Sequence, residues 1–246
     1  MFKRNTHSFL LFSVVTIASI FFVSCQKDQI LQSSETLSRV AMKTNSKAGT
    51  LDADKAFDKT VQQIMAEMMQ QMNQMEITCD PDIDFAQMMI MHHEAGIEMA
   101  EAELQYGHEE EAKELAQQTI ASNQASKERL KAFLASHPTP EPLSKEQCKQ
   151  FMKEMDEAMR RMKQCMKKTD TDDVDVDFAN QMICHHQGAI AMSRIELIYG
   201  DDEATLNEAR MIIEEQANEI IELAEFVNEH GIPTKKNMKK FFVKIT

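Results

Sequence analysis

The feature that most constrains this chain is that it contains the same unit twice. Asp84-Phe85-Ala86, Ile90-Met91-His92-His93, Met99, Glu103 and Tyr106-Gly107 return 93 positions later. There they read Asp177-Phe178-Ala179, Ile183-Cys184-His185-His186, Met192, Glu196 and Tyr199-Gly200. The offset holds through Ile120/Ile213, Leu130/Leu223, Phe133/Phe226 and His137/His230. Upstream it is 87: Val61, Met65, Met68, Met72, Met75 and Cys79 align with Cys148, Met152, Met155, Met159, Met162 and Met166. An Asp-rich connection from Lys167 to Val176 accounts for the change. Self-similarity at a fixed offset marks one supersecondary unit used twice.

Each copy predicts three helices. Helix A covers 52–77 and 144–168, helix B covers 82–105 and 175–198, and helix C covers 109–135 and 202–229. Asp80-Pro81 suits an N-cap with Pro at the first helical position, Gly107 and Gly200 suit helix stops, and Asp201 or Asp202 suits the cap of the last helix. Six Gly, five Pro and no alternating apolar runs at strand spacing leave an all-α fold as the expectation. The first repeat is expected over 51–137 and the second over 144–231. They meet at a Pro-rich linker, 138–143, which cannot continue a helix. A basic tail, 232–246, follows.

The N-terminus bears on the compartment. Lys3 and Arg4 precede an apolar run from Phe9 to Val23, short for a membrane span, which ends at Ser24-Cys25. This reads as a lipoprotein-type signal over 1–25, with lipid expected on Cys25 and a polar tether over 26–50. The expected location is the bacterial cell envelope, on a membrane through that anchor. Cys79, Cys148, Cys165 and Cys184 remain, and an even count in an oxidising compartment permits disulfides. Cys148 and Cys165 do not pair with each other if they share one helix, about 25 Å apart. Free thiols acting as soft ligands are the alternative.

Helix B carries the chemistry. Phe85, Met89, His92, Gly96, Met99 and Glu103 step by four and three along one seam, as do Phe178, Met182, His185, Ala189, Met192 and Glu196. An imidazole and a carboxyl on a buried stripe cost free energy unless paired or metal-bound. His93 and His186 flank the seam, with Met89 and Met182 one turn away. Helix A offers Met65, Met68, Met72 and Met75 in copy one, and Cys148, Met152, Met155, Met159 and Met162 in copy two. Met packs cores readily, yet thioethers and thiols beside imidazoles are also the soft set that selects Cu(I). Glu103 and Glu196 lie about 16 Å along the helix from their seam His and are expected in core hydrogen bonds or another site. His137 and His230 suit C-terminal helix ends.

The net charge of −13 argues against nucleic acid as a partner, since phosphate binding needs a basic face. Gly-rich phosphate loops, CxxCH, CxxC and HExxH are absent from the sequence.

At the helix B motif the chain resembles the bacterial family called domain of unknown function 305. The resemblance rests on Asp84-Phe85, Met89-Ile90-Met91-His92-His93, Gly96-Ile97 and Met99-Ala100, and on Asp177-Phe178 with Met182 through Met192. It implies a ferritin-like helical bundle in the bacterial envelope, with copper binding in some members. Copy one departs from the family pattern at Glu94-Ala95, against Gln187-Gly188, and at Asn123, against Gln216. A di-iron oxidase would need Glu-x-x-His, and Met or Ile stands three residues before each His.

The expectation is an exported protein of two tandem ferritin-like helical repeats that binds copper, Cu(I) foremost and Cu(II) or Ag(I) besides, for buffering, tolerance or delivery. Catalysis is not expected. A copper-delivery protein and a second copy of the chain are the further partners to consider. An envelope protein with a Met-lined groove for a partner helix, and a copper or iron oxidoreductase, are the alternatives.

Overall fold

The computed structural model describes residues 52–167 and 171–231, and within them the ordered elements are helices without a strand. They are α1 (52–74), α2 (Pro81–Tyr106), α3 (Glu110–Ser136), α4 (Lys145–Met166), α5 (Val174–Tyr199) and α6 (Glu203–His230). The expected bounds hold to within three residues. The signal segment 1–25 with Cys25, the tether 26–50 and the tail 232–246 lie outside the described residues.

Local signals set the ends. The Asp80 side chain accepts from the amides of Asp82 and Ile83 ahead of Pro81, Asp173 from Val176, Ser144 from Gln147 and Asp202 from Ala204. Each satisfies orphan donors of a first turn and is typically worth about 1 kcal/mol. Gly107 and Gly200 do end α2 and α5, but for another reason than backbone freedom. Their φ values are −69° and −72°, which any residue adopts. A Cβ on Gly107 would stand 2.0 Å from Glu103 Oε1, and one on Gly200 would stand 2.4 Å from Glu196 Oε1. Glycine is required there to admit a carboxyl.

The two hairpins α2–α3 and α5–α6 build one four-helix bundle. Besides the hairpin contacts, α2 packs on α5 and α3 on α6. Glu103 near the end of α2 meets Asp175 at the start of α5, and Glu196 near the end of α5 meets Asp82 at the start of α2. The central helices are therefore antiparallel, and the contacts are reciprocal, as a two-fold arrangement requires. Both are buried nearly all round. The inward positions of α3 (Ala112, Ala116, Thr119, Asn123, Ser126, Leu130, Phe133) match those of α6 at the same offset of 93, from Thr205 to Phe226.

The Met-rich helices pack on this bundle. Phe57, Val61, Ile64, Met65, Met68 and Met72 of α1 and Phe151, Met155, Ala158, Met159 and Met162 of α4 join the same continuous core. Met75 and Met152 are only partly buried against it. The stripes thus fill the core together with Phe and Ala rather than lining an open groove, a role for which the unbranched thioether is suited.

Two disulfides correct the expectation of a thiol ligand. Cys148 is bonded to Cys79 and Cys165 to Cys184, at Cα–Cα distances of 5.2 and 5.7 Å. Cys148 therefore offers no thiolate. Cys79 lies past the end of α1 with φ 64°, so it does not continue that helix's stripe. The first bridge joins the two repeats beside a bond from the Leu143 amide to the Cys79 carbonyl (2.9 Å). The second fastens α4 to α5.

Candidate metal centre

Where α2 and α5 cross, the four histidines of the repeat motif lie in one layer, each with no solvent exposure. His92 and His185 face each other across the two-fold relation, with ring centroids 3.8 Å apart. His93 and His186 stand behind them, at 6.3 and 6.2 Å from their chain neighbours. Small residues make this closeness possible. A Cβ on Gly96 would meet His185 Cε1 at 2.9 Å, and one on Gly188 would meet His92 Nε2 at 3.1 Å.

The outer pair is anchored in polar networks. His93 Nε2 lies 2.9 Å from Ser126 Oγ, which donates to Glu208 (2.6 Å), itself held by Arg129. His186 Nε2 donates to Glu219 (2.7 Å), which also accepts from Ser122 (2.6 Å) and Thr119 (3.2 Å). Ser126 and Glu219 are repeat equivalents, so the same position serves both rings with different chemistry. Burial opposes charge on Glu219, but the hydrogen bond and the charge of His186 outweigh it and hold this carboxyl below its usual range.

The inner pair is not so satisfied. His185 has no side-chain partner at either ring nitrogen and only a backbone contact with His92, and His92 has no partner at Nδ1. His92 Nε2 lies 3.3 Å from the sulfur of Met162 on α4. Burial first, and then the neighbouring imidazoles, push His92 and His185 well below 6.5, and burial with His186 lowers His93 to about 3. All three rings are therefore neutral at physiological pH and carry a free lone pair. Unpartnered buried polar groups cost about 1–3 kcal/mol each. Two imidazoles and a thioether form a soft donor set without a carboxylate, which fits Cu(I) better than a hard cation.

The residues expected at a site divide accordingly. His92, His185 and Met162 come together, with His93 and His186 behind them. Met89, Met99, Met182 and Met192 lie fully buried in the core. Met65, Met68, Met72, Met155 and Met159 serve the same packing. Groups of His and carboxylates whose ligand atoms lie within 4.8 Å of one another occur elsewhere among the described residues: His108 with Asp173 and Asp175, Glu111 with Glu229 and His230, and Asp54 with Asp58 and Asp177.

Several residues of this layer were not legible in advance as site residues. Ser126, Glu208, Glu219 and the Gln216–Asn123 bond (3.2 Å) come from α3 and α6. Their signal was a break in an apolar stripe, with Thr119, Asn123 and Ser126 at inward helix C positions. Glu103 and Glu196 do sit in the core, each beside an Asp of the other repeat.

The family model described as domain of unknown function (DUF305) matches residues 23–134 and again 82–227. The chain belongs to this DUF305 family. None of the curated proteins searched matches it. A crystal structure of a DUF305 fragment from Deinococcus radiodurans shares 22% identity, covering 61% of this chain and 96% of the fragment with a TM-score of 0.45.

Proposed function

We propose that this DUF305 protein binds copper, as Cu(I), at the crossing of α2 and α5, and that it holds the ion for buffering or transfer without turning over a substrate. The observation that carries this reading is the inner imidazole pair: buried and neutral, with three ring nitrogens lacking any side-chain partner and the fourth against Met162 sulfur. His92, His185 and Met162 would hold the ion. His93 and His186, fixed by Ser126 and Glu219, would hold the ring layer in place. Neutral rings favour binding because no proton must first leave. Two disulfides agree with an exported protein in the oxidising cell envelope, where a lipid on Cys25 would fasten it to a membrane. A copper-delivery protein would then be the partner that loads or unloads it.

The test is an anaerobic Cu(I) titration of the full chain against a chromophoric chelator. His92→Ala/His185→Ala should lose competition with the chelator. Met162→Leu, which keeps volume and removes the sulfur, should weaken binding at least about tenfold, or about 1.4 kcal/mol. Met155→Leu should leave it unchanged. Equal affinity in the parent and the double His variant would sink the assignment.

A further inference from the structure

The far end of α2 carries a second cluster, independent of the histidine layer. Glu103 lies 11 residues past His92, about 16 Å along the helix. It has no solvent exposure, and neither carboxyl oxygen accepts from an amide or hydroxyl, its polar neighbour being another acid. Beside it stands Asp175, also without exposure. One Asp175 oxygen accepts from the amides of His108 and Glu109, both at 2.9 Å, and so caps the start of α3. The other has no amide or hydroxyl donor and meets only His108 Nδ1, 2.5 Å away. Asp173 completes the group, with its ligand atom and those of His108 and Asp175 within 4.8 Å of one another.

Copy two provides an internal comparison. The equivalents of Glu103, Asp173, Asp175 and His108 are Glu196, Asp80, Asp82 and Asp201. There Glu196 is as bare of donors as Glu103, but the two Asp are occupied. Asp82 accepts from the amides of Asp201 and Asp202 (3.2 and 3.1 Å) and from the Thr205 hydroxyl. Asp80 accepts from the amides of Asp82, Ile83 and Glu141. In copy one Ala112 replaces Thr205, so the hydroxyl donor is gone, and a half-exposed imidazole stands where copy two has Asp201. One end of the α2–α5 pair is thus a closed cap. The other leaves one Asp175 oxygen to the half-exposed ring of His108 alone.

We propose that His108, Asp173 and Asp175, with Glu103 buried behind Asp175, form a binding site for a divalent cation of borderline character, for which Zn²⁺ is the fitting probe. One imidazole with carboxylates is the N/O set that suits such ions and excludes soft Cu(I). The cation adds positive charge to two buried acids that otherwise have only the half-exposed His108 and Lys113 for it. The ion enters past His108, whose side chain is 51% exposed.

The experiment is a Zn²⁺ titration of the full chain against a chromophoric chelator, with Co²⁺ visible absorption as the report on coordination. His108→Ala changes a half-exposed ring and Glu103→Gln is isosteric, so both keep the fold, which circular dichroism checks. Each is expected to weaken Zn²⁺ binding tenfold or more. Glu196→Gln in the closed cap, and His92→Ala/His185→Ala in the inner layer, are expected to leave it unchanged. Parent protein that does not compete with the chelator, or competes as well after His108→Ala and Glu103→Gln, overturns the site. Because the copper reading is tested with a different ion and different variants, either reading can fail while the other stands.

Discussion

Gly188 and Gly96 allow the inner histidine pair to be disturbed without removing a ligand. In an ordinary helix interior, Gly→Ala stabilises by about 1 kcal/mol. At Gly188 the new Cβ would stand 2.7 Å from Met162 Sδ and 3.1 Å from His92 Nε2. A thioether end yields to such contact by turning, at a cost of about 0.5–1.5 kcal/mol for an off-rotamer side chain. The two effects nearly cancel, so urea unfolding of metal-free Gly188→Ala should lie within about 1 kcal/mol of the parent. Its Cu(I) affinity should nevertheless fall at least about tenfold, since the sulfur has been driven off the ring nitrogen.

At Gly96 the Cβ would stand 2.6 Å from Asn123 Nδ2 and 2.9 Å from His185 Cε1. That ring has nowhere to go, with His92 at 3.8 Å on its other face. Overpacking of about 1–3 kcal/mol should therefore outweigh the helix gain, and Gly96→Ala should be the less stable of the two. The assays are urea denaturation of apo protein and chelator competition under anaerobic conditions. Gly188→Ala that is stabilised by the full helix increment and binds Cu(I) as before would refute the role given to Met162.

Two further expectations concern stability. His92, His93 and His185 titrate below the unfolded value of 6.5, so their contribution is complete above that pH and is lost as pH falls below it, at about 1.4 kcal/mol per unit per ring. Glu103 and Glu196 are raised from 4.5 to about 9 by burial and then by their Asp neighbours, so their contribution is complete at low pH and fades as pH rises toward 9. With Asp177 also raised by burial to about 7, these terms offset each other below pH 6.5, so metal-free protein should lose stability above about pH 7 in urea titrations. Glu103→Gln/Glu196→Gln should flatten that alkaline arm; an unchanged arm would contradict it. Removing the Cys79–Cys148 bridge, which spans 69 residues, should cost about 4 kcal/mol, and removing Cys165–Cys184, which spans 19, about 3 kcal/mol, both measured as paired Ser variants.

The helices were legible because their signals are local. Asp80-Pro81, the glycine stops and the spacing of Val61, Met65, Met68 and Met72 act within one or two turns. The seam placing His92 and His185 inside was legible for the same reason. What the sequence left open was which of the sulfurs would reach the rings, because that depends on how α4 lies over the bundle. Met162 touches His92 while Met155, two turns earlier on the same stripe, is core packing. The cysteine pairing was open because it joins the end of one repeat's loop to the other repeat's helix, a tertiary choice. Glycine at 107 and 200 was expected on grounds of helix ending, and the physical reason is the room it gives a carboxyl from the preceding turn.

The antiparallel crossing explains why this unit occurs twice. A single helix B has one seam histidine, which on its own would be a buried ring looking for a hydrogen bond. A second copy related by a two-fold brings the same residue to the opposite wall, so one inward His per repeat becomes a facing pair. His92/His185 and Met99/Met192 remain alike in both copies, although the glycine that makes room for the opposite ring is Gly96 in one and Gly188 in the other. Positions away from the two-fold are free to differ, because each meets its own surroundings: Ser126 against Glu219 behind the rings, and Ala112 with His108 against Thr205 with Asp201 at the ends. The facing histidine pair is therefore where the duplication is kept, and the His108 end of the bundle is where one copy has departed from the other.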